Sequence, residues 1–287
     1  MKEIKYSQAD FFDDQIKFIS QTRLDLSANK IKIIPTFSPA LNSQFKRGGL
    51  LESNLMLLLG KTGGGKTYWA TNWIVWLIRE NFKVLFFSMD MKKSDVLTRL
   101  LRIMLRSDVY GVERDLTTDF ENSVFPELMM SHYYTHCNIN ENAKTLPEME
   151  IVIRDWEPDI VFVDHIQLIR TKVKNFCGNS ELIADTFQAW KKKYKTAYVL
   201  LSQLKKSNQM NKRDWAKVPD IDDSRTLSET EAADVILGLA RPGMDQDCAD
   251  FQKKETRGRL IKNRLNDSWS PVLTWNYDEK TTIIKDV

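Results

Sequence analysis

Residues 55–67 read LMLLLGKTGGGKT: an unbroken apolar run, then Gly60, Lys61, Thr62, Gly63, Gly64, Gly65, Lys66 and Thr67. The run from Gly60 fulfils the pattern G-x-x-x-x-G-K-[ST], which confines the local chain to a buried strand, a glycine bend and the start of a helix. Glycines allow positive φ and close wrapping, so that successive N–H groups point inward at an oxygen-rich anion. Lys66 is then placed to reach the β and γ phosphates of a nucleotide, and the Thr67 hydroxyl to hold Mg²⁺. The helix beginning there turns its positive end toward the same anion. A glycine-rich surface turn is the competing reading. It accounts neither for the apolar run ahead of the bend nor for Tyr68 to Glu80, which can continue as a helix.

At 287 residues the chain is long enough for one large α/β domain, alone or with a small appendage. Apolar residues at 42% and charged residues at 28% describe an ordinary globular composition, and the net charge of +3 is too small to demand a polyanionic partner. No apolar run approaches the ~20 residues of a membrane helix, and MKEIKYSQADFF at the start lacks the apolar segment of a signal peptide. The expectation is a cytosolic protein without a membrane partner. Cys137, Cys177 and Cys248 are far apart and form no C-x-x-C pair, so neither a disulfide framework nor a zinc site is indicated.

Along the chain, Ser7-Gln8-Ala9-Asp10 resembles a capping box, and Phe12, Ile16 and Ile19 follow at helical spacing to about Ser20. This stripe packs either on its own domain or, across the polar stretch 21–32, on a neighbouring subunit. Trp69, Trp73 and Trp76 fall along one side of the helix after the glycine bend and read as core. Lys83 to Ser88 is a second strand, and Asp90 beyond it is either a base for an attacking water or the cap of a helix over 92–106. HYYTHC (132–137) reads as a strand, in which residues four apart lie ~13 Å from each other, too far for His132 and His136 to share an ion. Pro147 opens a helix to Trp156. Asp159 to Asp164 is a buried strand whose terminal acid is either a common turn residue or, as the glycine bend favours, part of the Mg²⁺ shell opposite Thr67. A basic loop with Arg170, Lys172 and Lys174 extends to Asn179, ahead of a helix over 181–195. TAYVLLS (196–202) is another strand, closed by Gln203, whose amide can sense the γ-phosphate.

The next loop carries Lys205, Lys206, Lys212, Arg213 and Lys217, with Trp215 near its end. Basic residues interleaved with an aromatic suit a single-stranded nucleic acid, in which charge tracks the backbone and a ring stacks on a base; a plain solvated loop is the alternative. Strands over 232–240 and 258–263 and a terminal hairpin, 271–277 with 281–284, complete the pattern. The expected fold is a mainly parallel twisted sheet flanked by helices, with antiparallel edge strands at the C-terminus.

With these motifs in order, the chain from Ile33 onward resembles the C-terminal ATPase domain of DnaB-type hexameric replicative helicases, a RecA-like P-loop NTPase group. FFSMDM (86–91) resembles the family's FSLEM element and DHIQLI (164–169) its DYLQL. VLLSQLKKS (199–207) is similar to SQLSR, DIDDSR with EAADVI (220–225, 231–236) to the SDLR and ADVI segment, and RLIKNRLNDS (259–268) to the KxRxG strand.

The resemblance implies Asp90 in the place of the catalytic glutamate, Asp164 as the Walker-B acid and Gln203 as the γ-phosphate sensor. It implies Arg264, assisted by Lys262, as an arginine finger offered to the next subunit's nucleotide, and Arg225 in a loop that touches DNA in a central channel, which the basic loops at 170–174, with Lys172 and Lys174, and 205–217 would also face. ATP and Mg²⁺, single-stranded DNA, a hexameric ring and a primase or helicase loader are the implied cofactors and partners. Three departures stand out: Asp90 is one methylene shorter than glutamate, Leu265 replaces a glycine, and residues 1–32 stand where the family has a collar domain and a linker helix. A compact version of this kind fits a phage or plasmid replication protein, which would act in the host cytoplasm. Two readings follow: a ring motor that hydrolyses ATP and unwinds duplex DNA, or a RecA-like nucleotide-switched single-strand-binding or loading factor with weak ATPase. An RNA or packaging motor is a third.

Overall fold

The computed structural model describes residues 31–106, 133, 135–173, 175–204, 215–245, 248–264, 266, 270–278 and 283–287. The expected leading helix over 7–20 lies outside them.

Among the described residues, nine strands form one sheet in the spatial order β11-β10-β9-β8-β3-β7-β6-β4-β5. They are β3 (Leu55–Gly60), β4 (Val84–Ser88), β5 (Cys137–Asn140), β6 (Ile160–Asp164), β7 (Ala197–Gln203), β8 (Val235–Ala240), β9 (Glu255–Asn263), β10 (Leu273–Tyr277) and β11 (Ile284–Asp286). β3 to β8 are mutually parallel, while β9, β10 and β11 add antiparallel at one edge. A separate short pair, β1 (Ile33–Ile34) and β2 (Leu50–Leu51), precedes the sheet. The expected parallel sheet with an antiparallel C-terminal edge is therefore the observed one.

The apolar run of β3 is unbroken because both of its faces are covered, as a parallel strand requires. Met56 and Leu58 pack in the layer under helices α1 (Lys66–Arg79) and α2 (Lys93–Arg106). Leu55, Leu57 and Leu59 point into the opposite layer, under α3 (Leu146–Trp156), α4 (Phe176–Tyr194) and α5 (Leu227–Ala232). Trp69 and Trp73 are fully buried and meet at 5.4 Å, and Trp73 continues edge-on to Phe162 at 5.4 Å. Its indole N–H donates to the Pro35 carbonyl at 2.8 Å, tying the segment before the sheet onto α1. The tryptophan stripe is thus core, with Trp76 half-buried at its margin.

Several expected boundaries are corrected. Residues 176–179 belong to α4, because the Asn175 side chain accepts from the Gly178 N–H and starts the helix earlier than the glycine suggests. Within HYYTHC, residues 133, 135 and 136 are helical and β5 begins only at Cys137, so the strand geometry used there against a shared ion does not apply. His132 lies outside the described residues, and burial pushes the Cys137 thiol up to about 12, so it stays protonated at neutral pH. Ala232 ends a helix over 227–232, so the strand expected from residue 232 begins only at Val235, and the last strand runs Ile284–Asp286.

Candidate active site

Parallel strands deliver their carboxyl ends to one edge of the sheet, where ligands of open α/β folds bind. Gly60 pairs with Gln203, and Ser88 pairs with Asp164, so the register alone brings the glycine bend, Asp90, Asp164 and Gln203 together. They line a cavity of about 290 Å³ that also takes in Tyr68, Arg99 and His165.

The bend has the backbone its glycines permit. Gly63 and Gly65 adopt φ of +78° and +86°. Gly65 caps α1 without a side chain, which leaves the first-turn N–H groups directed at the cavity. Lys66 curls back inside the loop, its ammonium donating to the carbonyls of Gly60 and Lys61, each at 2.8 Å. Burial lowers it to about 8; the Asp164 carboxylate opposes the shift and Arg225 adds to it. The Thr67 hydroxyl donates to Asp164 Oδ2 at 2.6 Å. A hydroxyl and a carboxylate oxygen in direct contact beside a phosphate cradle are the hard donors an octahedral Mg²⁺ takes from a protein when phosphates and water supply the rest.

Asp90 is exposed toward this cavity and does not cap α2, whose first N–H, that of Lys93, donates to Glu141 at 2.6 Å. Gln203 Nε2 faces His165 Nε2 at 3.3 Å. Behind Gln203, Gln167 donates to Ser202 Oγ and Ser202 donates to Glu229, both at 2.7 Å. Glu229 is buried and its carboxyl is raised by that burial, with the Ser202 and Thr226 hydroxyls working in the opposite sense.

Arg264 and Lys262 lie elsewhere. β9 runs antiparallel to β8, and Val235 pairs with Asn263, so both cations sit at the amino ends of the parallel strands. The five steps from Val235 to Ala240 separate them from the phosphate edge by roughly 17 Å at ~3.3 Å per residue. Arg264 donates to the Glu231 carbonyl at 2.7 Å and reaches Asp234 Oδ1 at 3.5 Å, yet its side chain is 51% exposed. Lys262 donates to the Thr230 carbonyl at 2.6 Å. The structure therefore does not bring the two expected finger residues to the phosphate loop of their own chain.

Of the expected nucleic-acid residues, Lys172 is exposed on the loop after β6. Lys174, Lys205, Lys206, Lys212 and Arg213 lie outside the described residues, as does Leu265. Arg225 donates from Nε to the Leu204 carbonyl at 3.2 Å, directly beside the sensor position, and its charge is felt at Lys66 and His165.

Sequence reasoning missed four residues around the bend. The Arg241 guanidinium lies 4.1 Å from the Tyr277 ring centroid, Tyr277 lies 5.5 Å from Tyr68, and Arg99 covers the other side of Tyr68 at 4.9 Å. This alternation of cations and aromatic faces borders the phosphate loop. Only Tyr68 had a local signal, its place directly after Thr67; the others come from α2, the end of β8 and the C-terminal hairpin. The Trp215 ring stands 5.2 Å from the Lys61 ammonium, beside the glycine bend.

Residues 34–282 match the family described as "DnaB-like helicase C terminal domain". A "Probable plasmid replicative DNA helicase" of Chlamydia muridarum is 26% identical over 242 residues, covering 81% of this chain and 51% of that protein. The "Replicative DNA helicase DnaB" of Rickettsia felis is 23% identical over 245 residues, covering 74% of this chain and 46% of its own length. The chain spans about half the length of the curated relatives it matches. A solved ATPase domain superposes with a TM-score of 0.75 at 16% identity, over 94% of this chain and 98% of that one. A structure titled as a DnaB-like replicative helicase and its interactions with primase gives 0.73 at 17% identity, over 88% of this chain and 63% of that one. At such identities the structural likeness speaks for the fold, which is the RecA-like ATPase core.

Proposed function

The chain belongs to the DnaB-like helicase C-terminal domain family, and from that premise we propose that it is the motor of an ATP-dependent DNA helicase that acts as a ring on single-stranded DNA during replication. The observation that carries this reading is the placement of the phosphate loop, Asp90, Asp164 and Gln203 at one edge of the sheet and of Arg264 with Lys262 at the other. A head-to-tail ring sets the second edge of one subunit against the first edge of the next, which closes the symmetry.

Within one subunit, the first-turn N–H groups of α1 and the Lys66 ammonium bind the triphosphate, and Lys66 exchanges its two carbonyl acceptors for phosphate oxygens. Thr67 and Asp164 would hold Mg²⁺, which would supply positive charge to offset that developing on the transferring phosphoryl group. Asp90 accepts the proton of the attacking water, and the Gln203 amide orients that water or the γ-phosphate. Arg264 of one subunit stabilises the transferring phosphoryl group in its neighbour, with Lys262 beside it. Lys172 and Lys174, the loop with Lys205, Lys206, Lys212 and Arg213, and Arg225 follow the DNA backbone. Among the described residues no helix is long and apolar enough to cross a membrane; a replication motor of this kind would act in the cytoplasm. A primase or loader is the partner class that fits such a motor.

The test is electron microscopy with a non-hydrolysable ATP analogue and single-stranded DNA, alongside strand-separation and ATPase assays. Rings on DNA with DNA-stimulated turnover and unwinding are expected. A chain that stays monomeric under all ligands overturns the ring, and tight ATP-dependent DNA binding without turnover or unwinding replaces the motor with the nucleotide-switched factor.

A further inference from the structure

The turn that carries Asp90 is held from outside its own strand. Ser88 closes it locally, its hydroxyl donating to the Met91 carbonyl at 2.6 Å, and the Met89 N–H donates to the Asp164 carbonyl at 2.8 Å. Those two bonds leave the carbonyls of Ser88 and Met89, immediately ahead of Asp90, for another donor. Both are taken by Lys144, whose ammonium lies 3.0 Å from the first and 2.8 Å from the second. From the same loop, Glu141 takes the Lys93 N–H at the far side of the turn. The residues after β5 therefore grip the Asp90 turn before and after the carboxylate.

Lys144 is itself fixed at every polar backbone atom. Its N–H donates to Glu148 Oε2 at 2.9 Å, within the capping box that starts α3. Its carbonyl accepts the Arg170 N–H at 2.7 Å, and the adjacent Thr145 bridges Arg170 in parallel register. The ammonium thus stands on a rigid support whose other side is the basic loop that begins at Arg170. Its charge also falls within electrostatic reach of Asp90, one of the carboxylates that hold its proton against the cost of burial.

We propose that Lys144 is a positioning residue for hydrolysis: by bonding the two carbonyls before Asp90 it sets where that carboxylate meets the attacking water, and it joins this turn to the loop at 170–173. The shorter reach of an aspartate makes such a constraint matter, because a carboxylate that cannot extend to the water depends on its backbone being placed for it. Misplacement by about 1 Å costs on the order of 10²-fold in rate. The inference rests on Asp90 being the water-activating residue.

The test uses the full chain and reads ATP turnover with and without single-stranded DNA, the dissociation constant of a fluorescent ATP analogue, and the melting temperature. Lys144→Met keeps the aliphatic stem and removes the donor; it is expected to lower kcat about 10- to 100-fold while analogue affinity stays within about twofold. Lys144→Arg, which retains charge and donors, is expected to recover most of the loss. On an Asp90→Asn background, Lys144→Met is expected to add almost nothing, since both act through one carboxylate. Unchanged kcat in Lys144→Met, equal losses of kcat and affinity, or full additivity with Asp90→Asn each overturn the proposal. If Lys144→Met does not fold, Lys144→Gln is read by the same criteria. Should Asp90→Asn alone leave turnover intact, the assignment of Asp90 falls and the proposal with it. Loss in Asp90→Asn without loss in Lys144→Met sinks only the role of Lys144.

Discussion

At the carboxyl ends of the parallel strands, polar and charged groups are turned inward: Lys66 on loop carbonyls, Thr67 on Asp164, Gln203 on His165. At the amino ends, Asp234 accepts from the Leu55 N–H at 2.8 Å and from Lys191 at 2.5 Å, and Arg264 approaches from the surface with half its side chain in solvent. The first edge is a preorganised cradle around a cavity. The second is a structural anchor carrying a cation that it holds only lightly. Residues that the family resemblance assigns to one reaction are thus divided between two edges of one chain, and under the proposed ring a second copy would complete the site. The same strand, β3, begins at the anchor and ends at the cradle.

Lesions at the two edges should therefore fail differently. Lys66→Ala has the largest expected effect: it removes the buried cation of the cradle, so nucleotide binding and turnover both fall below detection while circular dichroism stays native. Retained turnover would show that the bend is not the phosphate site. Arg264→Ala should reduce ring turnover by about 10³-fold with nucleotide affinity kept. Mixing it with Lys66→Ala subunits should restore part of the activity, because some interfaces then pair an intact cradle with an intact finger. No recovery at any ratio would place the two edges in separate functions.

Asp234→Ala should act on stability. Lys191 is left buried without its partner, a change that costs about 3–5 kcal/mol, so chemical denaturation is expected to shift while the remaining folded fraction still binds nucleotide. An unshifted midpoint would mean that the amino edge is not an anchor. The smallest effect is expected from Glu229→Gln. Burial raises this carboxyl in the fold, so its protonated form is favoured there; stability is fully present below the unfolded carboxyl range and is lost as pH rises through the folded value. Removing the charge should flatten the decline in melting temperature as pH rises above the unfolded carboxyl range. A parallel curve for the wild type and the variant would refute this.

The elements around Gly60 to Thr67 were legible because their signals are local: an apolar run, a glycine bend and a helix follow one another, and Asp164 and Gln203 close two further apolar strands. Boundaries failed where side chains overrode composition. Asn175 starts α4 across a glycine, and residues 133, 135 and 136 are helical within a stretch whose aromatic and β-branched content suggested a strand. Asp90 left two readings open, and Glu141, a residue 51 positions later in the sequence, removes one of them by taking the Lys93 N–H.

The sequence by itself determined the phosphate loop, the order of the strand-end acids and amides, and the family, since a backbone that wraps an anion must be continuous and each strand announces its own end. Only the tertiary structure decided which of those ends meet, that Arg241 and Tyr277 come to Tyr68, that Lys144 grips the turn of Asp90, and that Arg264 faces away from the loop of its own chain. Strand order and parallel or antiparallel register set these distances through space, and neither is written in the spacing of residues along the chain.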